Sequence, residues 1–310
     1  MENILITGGL GFIGSSIIKK LQLKNYNITI MDNTTTNTVE NIDNCEIIKT
    51  DITNLDSLKK IKINKIDTIL HLAGQSSGPA SAEDPIYDAK CNIIGTLNLL
   101  EFARMIKVNR ILFASTFAVY GDPINDLCLK ENDPTNPKSV YGISKLACEN
   151  YIRILSSVYK FNWNILRMFN VYGYGQDLSR DNQGIISIFI KLIKDNTNIP
   201  VTGSLKRIRD FVNIEDVVQA WILCLENKNY HNKIYNVGCG KPASIKEMIN
   251  EIALQYNKFN KIKINEIEGT IGDILGCYAN IDNISNDLGY RPTINLKKGI
   301  QIFKKWVDSN

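Results

Sequence analysis

The sequence lacks a hydrophobic run long enough to cross a bilayer, and it lacks a leader of the secretory kind. A membrane-spanning helix needs roughly 20 consecutive apolar residues, and no segment approaches that length. The first residues, Met1–Ile6, lead straight into a strand-like apolar segment without the charged stretch and long apolar core of a signal peptide. We therefore expect a cytoplasmic protein with no membrane partner.

The cysteines lack the paired spacing of a disulfide framework or a zinc site. No C-x-x-C pair occurs, and the number of cysteines is odd. The seven are Cys45, Cys91, Cys128, Cys148, Cys224, Cys239 and Cys277. This pattern predicts a reducing compartment, no metal site, and thiols that mostly pack as small core residues.

The sequence also lacks a marked excess of either positive or negative charge. The chain has 36 basic and 32 acidic residues, a net charge of +4, and no basic stripe. Nucleic-acid binding is therefore not expected. The chain also has no low-complexity linker and no internal repeat, so we expect its parts to pack tightly rather than swing on a tether.

Short apolar runs alternate with longer amphipathic ones through the first half of the chain. The runs that predict buried strands are Asn3–Thr7, Asn27–Asp32, Glu46–Asp51, Thr68–Leu72, Arg110–Ala114 and Asn164–Phe169. Those that predict helices are Phe12–Leu23, Leu55–Lys60, Pro85–Ile106 and Tyr141–Tyr159. The alternation predicts an α/β protein with a Rossmann-like, doubly wound parallel sheet.

After about residue 170 the pattern becomes irregular, which indicates a smaller C-terminal substrate-binding lobe. Predicted here are helices at Ile185–Lys194 and Glu215–Leu225 and strands near Phe211–Val212 and Ile234–Val237. We divide the chain into a dinucleotide-binding domain at 1–168, to which 208–230 returns, and a second lobe formed by 169–207 and 231–310.

A glycine-rich loop directly follows the first predicted strand. Gly8, Gly11 and Gly14 form a G-x-x-G-x-x-G pattern that opens a helix, whose N-terminus can hold a pyrophosphate. Such a loop alone also fits a purely structural turn. Asp32 ends the second predicted strand about 20 residues later, where a carboxylate accepts hydrogen bonds from ribose hydroxyls and repels a 2′-phosphate. The glycine-rich loop and Asp32 together therefore favour NAD over NADP as the cofactor.

A tyrosine and a lysine lie four residues apart, on one face of a predicted helix. Tyr141 could take a proton from a sugar hydroxyl if the Lys145 cation and the nicotinamide charge stabilise its phenolate. The spacing by itself also fits an exposed amphipathic turn. Thr116 strengthens the catalytic interpretation, because it follows an apolar run and would emerge at the carboxyl end of a strand, where such sheets bind ligands.

Nine strings in order along nearly the whole chain resemble the nucleotide-sugar epimerase/dehydratase family of extended short-chain dehydrogenases. They are TGGLGFIG (7–14), MDN (31–33), HLAG (71–74), ASTFAVYG (114–121), YGISK (141–145), LRMFNVYG (166–173), RDFVNIEDV (209–217), YNVGCG (235–240) and GDILGCYANI (272–281). The resemblance implies an NAD-dependent enzyme with Tyr141 as the base, Lys145 as its partner and Thr116 as the supporting hydroxyl.

The resemblance also implies which residues bind the cofactor and the substrate. The cofactor contacts implied are Gly8, Gly11, Phe12, Ile13 and Gly14 at the pyrophosphate, Asp32 and Asn33 at the adenosine ribose, Asp51 and Ile52 at the adenine, Leu72, Ala73 and Gly74 beneath the cofactor, and Tyr141, Lys145 and Phe169 near the nicotinamide. The candidate substrate contacts are Ser76, Thr116, Tyr141, Asn170, Arg209 and Cys277, with Asn170 and Arg209 at the diphosphate.

The residues after Thr116 bear on the reaction. In the members of the similar family that dehydrate sugars, an Asp-Glu pair follows the hydroxyl residue. This chain has Phe117 and Ala118 there, and neither side chain can transfer a proton. The remaining groups suit reversible oxidation at one carbon. We therefore predict a nucleotide-sugar 4-epimerase acting through a transient 4-keto sugar, with a 4-dehydrogenase or reductase as the alternative enzyme and a non-catalytic NAD sensor as the alternative of another class.

Two departures from the family pattern concern the substrate. Thr270 stands where many members have a diphosphate-binding arginine; Lys206 or Arg207 could compensate or could be solvated charges, and a guanosine or cytidine carrier stays open beside uridine. Cys277 stands where epimerases that resemble this chain have a tyrosine or a small residue. It either leaves room for an N-acetyl group or packs in the core. We therefore expect a UDP-hexose or a UDP-N-acetylhexosamine as substrate, and the first alternative favours the N-acetylated sugar.

The family usually pairs through the helix that carries the Tyr/Lys motif, which implies a homodimer. Tyr151, Ile154, Leu155 and Val158 would give that helix an apolar face for the partner. A stripe that faces the sheet has the same spacing, so both interpretations stand at this point.

Overall fold

The computed structural model describes residues 1–36, 38–124, 126–179, 184–195, 198–269 and 274–309. Its strands are β1 (Glu2–Thr7), β2 (Tyr26–Asp32), β3 (Glu46–Lys49), β4 (Thr68–His71), β5 (Arg110–Thr116), β6 (Cys128–Leu129), β7 (Asn162–Met168), β8 (Asn170–Tyr172), β9 (Asn198–Thr202), β10 (Ile208–Arg209), β11 (Phe211–Asn213), β12 (Lys233–Val237), β13 (Ala243–Ser244), β14 (Lys263–Ile267) and β15 (Tyr278–Ala279).

The helices follow the same chain order. They are α1 (Phe12–Leu21), α2 (Leu55–Lys59), α3 (Gly78–Glu83), α4 (Pro85–Ala89), α5 (Gly95–Met105), α6 (Val140–Tyr159), α7 (Ile185–Asp195), α8 (Ile214–Glu226), α9 (Ile245–Gln255), α10 (Asp282–Leu288) and α11 (Leu296–Ser309). A π-helical turn at Lys90–Ile94 joins α4 to α5, and a 3-10 turn at Phe117–Val119 follows β5.

Seven parallel strands form the central sheet in the order β12-β7-β5-β4-β1-β2-β3. The strand order reverses between β1 and β4, which opens a crevice at the carboxyl ends of these strands. Helices cover both faces, so a strand such as β1 buries its consecutive residues Ile4, Leu5 and Ile6 rather than alternating ones. The predicted α/β, Rossmann-like fold is confirmed.

Two apolar cores lie on opposite faces of the sheet. On one face α1 and α8 pack together, and Trp221 of α8 is fully buried there beside Ile17 of α1. On the other face α5 and α6 cover the strands, with Leu99 and Ile152 buried. Because both faces are sealed, ligand access is left to the ends of the strands.

The second lobe has its own core of apolar side chains from α7, α9 and α11, including Ile190, Met248 and Phe303. Parallel pairing of β8 with β11 and of β14 with β9 adds small two-stranded sheets. The lobe is anchored by Asp210, whose buried carboxylate accepts hydrogen bonds from the backbone N–H groups of Cys239, Gly240 and Ala279 at 2.7–3.1 Å.

Two details differ from the sequence prediction. Strand β12, which the predicted division placed in the second lobe, pairs with β7 and extends the central sheet. The predicted single helix Pro85–Ile106 is α4, the π-helical turn and α5. A short apolar run carries no information about its pairing partner, and the period of a π turn is too close to that of an α-helix to be recognised in sequence. The other domain boundaries stay predictions.

Among the described residues, no helix combines the length and the apolar character that crossing a bilayer requires. The cytoplasmic location expected from the sequence stays a prediction.

Candidate active site

The glycine-rich loop connects β1 to α1 at the crevice. Gly8 has a φ of +68°, and a Cβ there would lie 2.7 Å from the backbone nitrogen of Ala73. A Cβ on Gly14 would lie 2.4 Å from the carbonyl oxygen of Gly8. These two positions need glycine because the loop packs against itself and against the segment after β4.

Helix α1 begins at Phe12 with Gly11 as its N-cap, and no side chain caps it. The backbone N–H groups of Phe12 and Ile13 belong to the first turn, which has no intrahelical acceptors for them. These donors and the positive end of the helix dipole therefore face the crevice as an anion site. A pyrophosphate fits this arrangement.

Asp32 ends β2 beside the loop and is 8% exposed. Its two carboxylate oxygens accept hydrogen bonds from the backbone N–H groups of Leu10 at 3.0 Å and Thr34 at 2.8 Å. Each oxygen keeps a second acceptor site, so the carboxylate can also accept from ribose hydroxyls. The glycine loop, α1 and Asp32 together fit a dinucleotide whose adenosine ribose carries no phosphate.

Asn33 and Asp51 lie side by side at the outer edge of this site. The amide of Asn33 donates to Asp51 at 3.2 Å, and Asp51 also accepts from the backbone N–H of Thr53 at 2.8 Å. Burial alone would raise the pKa of Asp51, but these hydrogen bonds outweigh it and lower the pKa. The next residue, Ile52, is buried, and its carbonyl oxygen accepts from Asn98 at 2.9 Å.

The segment after β4 crosses in front of the glycine loop. The N–H of Leu72 donates to the Thr7 carbonyl at 3.1 Å, and the N–H of Ala73 donates to the Thr7 hydroxyl at 3.2 Å. Gly74 has a φ of +155°, and a Cβ there would lie 2.4 Å from Asn92 Oδ1. These three residues therefore pack tightly beside the glycine loop, and their contact with a cofactor stays a prediction.

His71 is a buried residue of this region that the sequence analysis missed. Its ring nitrogens hydrogen-bond with the Thr7 hydroxyl at 2.8 Å and the Thr96 hydroxyl at 3.0 Å. Burial, with a contribution from the Lys145 charge, lowers the pKa of His71 to about 3. The ring is therefore neutral, and it ties the crevice strands β1 and β4 to helix α5.

This lowered pKa predicts a pH effect on stability. Unfolded His71 binds a proton below about pH 6.5, whereas folded His71 does so only near pH 3. Stability should therefore fall as the pH drops from 6.5 toward 3. Urea unfolding of wild type and of His71→Gln between pH 7 and pH 4 measures the free energy of unfolding at each pH. This free energy should fall less steeply with decreasing pH in His71→Gln than in wild type. His231→Gln, at the partly buried other histidine, is the control; equal slopes for His71→Gln and wild type would contradict the prediction.

Thr116 and Tyr141 meet at the carboxyl end of β5. Thr116 is the last residue of β5, and its hydroxyl accepts from the backbone N–H of Ala118 at 3.2 Å. Burial raises the pKa of Tyr141, and its hydrogen bond with Thr116 opposes that rise. The protein's own groups therefore keep the phenol protonated.

Lys145 lies one helical turn after Tyr141, with its ammonium 4.2 Å from the centroid of the Phe113 ring. Burial lowers the pKa of Lys145, while the nearby acidic groups of Cys148, Glu149 and Asp88 oppose the shift. The cation is thus held by an aromatic face and by neighbouring negative charge.

Two serines that the sequence analysis missed position Tyr141. The hydroxyl of Ser81 accepts from the backbone N–H of Tyr141 at 3.0 Å, and that of Ser139 caps α6 by accepting from Gly142 at 3.1 Å. The Ser139 cap has a local sequence signal, since serine is a preferred N-cap residue. The Ser81 contact joins residues 60 positions apart, and nothing in the local sequence indicates it.

A buried polar cluster lies behind α6 and was also missed. The amide of Asn92, in the π-helical turn, donates to Asp88 at 3.0 Å and to the Ser144 hydroxyl at 3.1 Å. Ser144 in turn donates to the Tyr141 carbonyl at 3.0 Å. Its neighbours along α6 are Tyr141 and Lys145, so this cluster fixes the helix segment that carries both.

The residues predicted to bind substrate are divided between the two lobes. Asn170 starts β8, and its side-chain oxygen is buried without a hydrogen-bond partner among the described residues. Arg209 ends β10, is 5% exposed, and donates to the carbonyl oxygen of Ile208 at 2.8 Å. Ser76 is exposed in the segment after β4. An orphaned acceptor and a buried guanidinium suit a polar ligand, although their roles stay predictions.

An apolar cluster adjoins these groups. Phe169 and Cys277 are buried in it together with Ile274, and Phe117 packs against it. The Cys277 side chain is fully buried, and burial raises the pKa of its thiol to about 12. Core packing of Cys277 is thus observed, and its contact with a sugar stays a prediction.

Thr270, which stands where many family members have a diphosphate-binding arginine, lies outside the described residues together with Gly272 and Asp273. Arg207 donates to the carbonyl oxygens of Thr202 and of Ser204 within its own turn. Lys206 is exposed.

The sequence matches a known protein family. Residues 4–238 match the model of the NAD dependent epimerase/dehydratase family. The chain belongs to this family. Its NAD dependence and the resemblance read from the nine strings are thereby confirmed, whereas the cofactor contacts assigned to the loop, to α1 and to Asp32 stay predictions.

Relatives extend the match over the full length. A Methanocaldococcus jannaschii protein provisionally named UDP-glucose 4-epimerase is 38% identical over 309 residues, which is 99% of each chain. The structure of Thermotoga maritima UDP-glucose 4-epimerase with UDP-glucose is 29% identical, covers 99% of each chain and has a TM-score of 0.93. A Methanobrevibacter ruminantium UDP-N-acetylglucosamine 4-epimerase, in complex with UDP-N-acetylmuramic acid, is 30% identical, with 99% of this chain and 98% of that one covered and a TM-score of 0.89.

Proposed function

We propose that this NAD-dependent family member is a nucleotide-sugar 4-epimerase for a UDP-hexose or UDP-N-acetylhexosamine, with Tyr141 as its base. One observation carries the proposal: the hydroxyls of Thr116 and Tyr141 meet at the carboxyl end of β5. The next two residues, Phe117 and Ala118, offer no second acid or base for elimination. The site therefore suits oxidation and reduction at a single carbon.

In this mechanism Thr116 hydrogen-bonds the sugar's 4-oxygen and orients its proton toward Tyr141. NAD, when bound, would supply the acceptor and the donor of the hydride, and its positive ring would favour the phenolate. Tyr141 takes the hydroxyl proton as the 4-keto sugar forms. The 4-keto sugar then rotates in the site, and Tyr141 returns the proton to the 4-oxygen as the sugar is reduced on its opposite face. Lys145 stabilises the phenolate while Tyr141 is deprotonated.

The anion-binding groups place the substrate. Arg209 would bind diphosphate oxygens through its planar guanidinium, and Asn170 would use its orphaned acceptor on a nearby hydroxyl. The uridine carrier is supported by the UDP-sugar epimerases that the chain resembles. Full burial of Cys277 leaves hexose and N-acetylhexosamine equally open.

A nucleotide-sugar 4-dehydrogenase or reductase would use the same residues, and one relative is named dTDP-4-dehydro-6-deoxyglucose reductase. The two enzymes differ in the fate of the cofactor, because an epimerase regenerates NAD in each cycle. A non-catalytic NAD sensor is disfavoured, since it has no use for Thr116, Tyr141 and Lys145 together.

The proposal is tested by incubating the enzyme separately with UDP-galactose, UDP-glucose and their N-acetylated forms, without added NAD. Proton NMR of the sugar ring follows the configuration at C4, and near-ultraviolet absorbance follows reduced cofactor. We expect the C4 epimer to appear with no lasting reduced cofactor. Accumulation of reduced cofactor, or no turnover of any uridine sugar, would refute the epimerase and direct the assay to guanosine and cytidine sugars.

We also propose that the protein forms a homodimer through α6. Tyr151, Ile154 and Val158 are 42%, 70% and 63% exposed, whereas Leu155 packs against the core. Three of the four side chains of the predicted stripe thus face outward, and Leu155 faces the core. Ile86 and Met105, from the adjoining α4 and α5, are exposed as well. Such a cluster of exposed apolar side chains is typical of an interface.

Ile154→Asp should weaken this dimer by about tenfold or more, because two-fold symmetry places an unpaired charge in the interface twice. Sedimentation velocity over a range of concentrations measures the effect. Leu23→Asp, a similarly exposed apolar position on another surface, is the matched control and should leave association unchanged. If wild type, Ile154→Asp and Leu23→Asp associated equally, the proposed interface at α6 would be wrong.

A further inference from the structure

Asp88 is a buried carboxylate that the proposed mechanism does not use. It lies in α4 and is fully buried, and its Oδ1 accepts a hydrogen bond from the Asn92 amide at 3.0 Å. Its Oδ2 is buried without a hydrogen-bond partner among the described residues. A buried ion that lacks hydrogen-bond partners is costly unless an opposite charge lies nearby. Asp88 therefore needs a cation close to α4.

Lys145 is a buried cation on α6, the helix that packs against α4. Its side chain is 5% exposed. The Asn92 amide that binds Asp88 also donates at 3.1 Å to Ser144, the residue before Lys145. Burial raises the pKa of Asp88, and the Lys145 charge is among the groups that oppose this rise. The carboxylate and the ammonium thus influence each other's protonation.

The other groups around this pair do not supply a free negative charge. The titratable ones are His71 of β4, Cys91 of the π-helical turn, and Tyr141, Cys148 and Glu149 of α6. Burial raises the pKa values of the Cys91 and Cys148 thiols, which are therefore neutral at neutral pH. Glu149 already pairs with Arg167 at 2.7 Å. Within this set, Asp88 is the carboxylate left to balance Lys145.

We propose that Asp88 is a positioning residue that acts through Lys145: its carboxylate is the counter-charge that keeps the Lys145 ammonium protonated, one helical turn from Tyr141. The inference rests on the proposed 4-epimerase function, in which this ammonium stabilises the Tyr141 phenolate. Without the Asp88 charge, burial favours the neutral amine, which cannot stabilise a phenolate. Asp88 needs no contact with the sugar or the cofactor for this role.

The protonation of Lys145 can be measured without turnover. NAD-loaded protein with carbon-13 at the lysine Cε is titrated by NMR, and the resonance missing from Lys145→Met identifies Lys145. At the pH where half of the wild-type Lys145 is protonated, we expect about a quarter or less to be protonated in Asp88→Asn. Asparagine keeps the size of aspartate and an acceptor oxygen, and it removes the charge.

The pH profile of turnover gives a second measurement. Burial raises the pKa of Tyr141, and the Asp88 charge adds to this rise. Removing the charge should therefore move the acid limb, set by Tyr141, and the alkaline limb, set by Lys145, in the same direction, toward lower pH. A merely structural role of Asp88 would lower the maximum rate and leave both limbs in place.

Asp84→Asn is the matched control, because it makes the same change at the exposed N-cap of α4, where asparagine is also a favoured residue. Both measurements should match wild type in this variant. Asp88→Ser repeats the test if Asp88→Asn does not fold. A Lys145 titration, or a pair of limbs, that loss of the Asp88 charge leaves unchanged would overturn the inference. Failure of the epimerase proposal shows separately, as absence of a C4 epimer, while the lysine titration still reports on Asp88.

Discussion

Replacing Tyr141 by phenylalanine is expected to lower the turnover number for 4-epimerisation by about 10³-fold, within the range that a positioned general base contributes. The change removes one oxygen and keeps the ring. It therefore deletes the group that takes the 4-hydroxyl proton while leaving the packing of α6 in place. The rate of C4 epimer formation, followed by proton NMR, measures the effect.

Binding should respond differently from turnover. The anchors proposed for the cofactor are the glycine loop, the α1 N-terminus and Asp32, which belong to the β1–α1–β2 segment and not to α6. NAD and nucleotide-sugar affinities should therefore stay close to those of wild type in Tyr141→Phe. A loss confined to turnover identifies a group that acts mainly in the transition state.

The matched control is Tyr151→Phe, the same change ten residues further along α6 at a position that is 42% exposed. This variant should retain full activity. If Tyr141→Phe kept more than about a tenth of wild-type turnover, Tyr141 would not be the base. Another proton acceptor at the end of β5 would then have to be sought.

The fold could be predicted because its signals are local. Buried parallel strands appear as short apolar runs. The bounds predicted for the first strand differ from the observed ones by one residue at one end, and those predicted for α8 by one residue at each end. The glycine loop could be predicted for a similar reason, since the positive φ of Gly8 and the tight packing of Gly14 leave room for no other residue.

The supporting groups of the site could not be predicted, because their contacts join distant parts of the chain. The ring of His71 reaches Thr7, 64 residues away, and Ser81 reaches Tyr141 across 60. When a serine or histidine lies inside an ordinary helix or strand, nothing in the neighbouring sequence indicates its hydrogen-bond partner. Strand β12 illustrates the same limit, since hydrophobic pattern alone does not determine strand order.

A buried ion pair joins the elements that carry the catalytic groups. Arg167 of β7 donates to both carboxylate oxygens of Glu149 on α6, at 3.0 and 2.7 Å, and both side chains are at least 95% buried. Ser115, the neighbour of Thr116 on β5, also donates to Glu149. Arg167 further donates to the Glu131 carbonyl at 3.1 Å. One carboxylate thus connects β5, β7 and α6.

Arg167→Met should therefore lower the free energy of unfolding by about 3–5 kcal/mol, because it leaves the Glu149 carboxylate buried without its counter-charge. That is a large part of the roughly 5–15 kcal/mol that stabilises a typical domain. Urea denaturation measures the change through the midpoint and the slope. Activity lost at low temperature, where the variant stays folded, would report displacement of α6 relative to Thr116.

The double variant Arg167→Met/Glu149→Met separates the unpaired charge from the lost packing. Since it removes both ions, it should be more stable than Arg167→Met alone. Lys65→Met is the surface control: Lys65 pairs with Asp67 at 2.9 Å but is 72% exposed, so its loss should cost under about 1 kcal/mol. If the double variant were as unstable as the sum of its single changes, the two side chains would not be energetically coupled, and packing alone would hold α6 against β7.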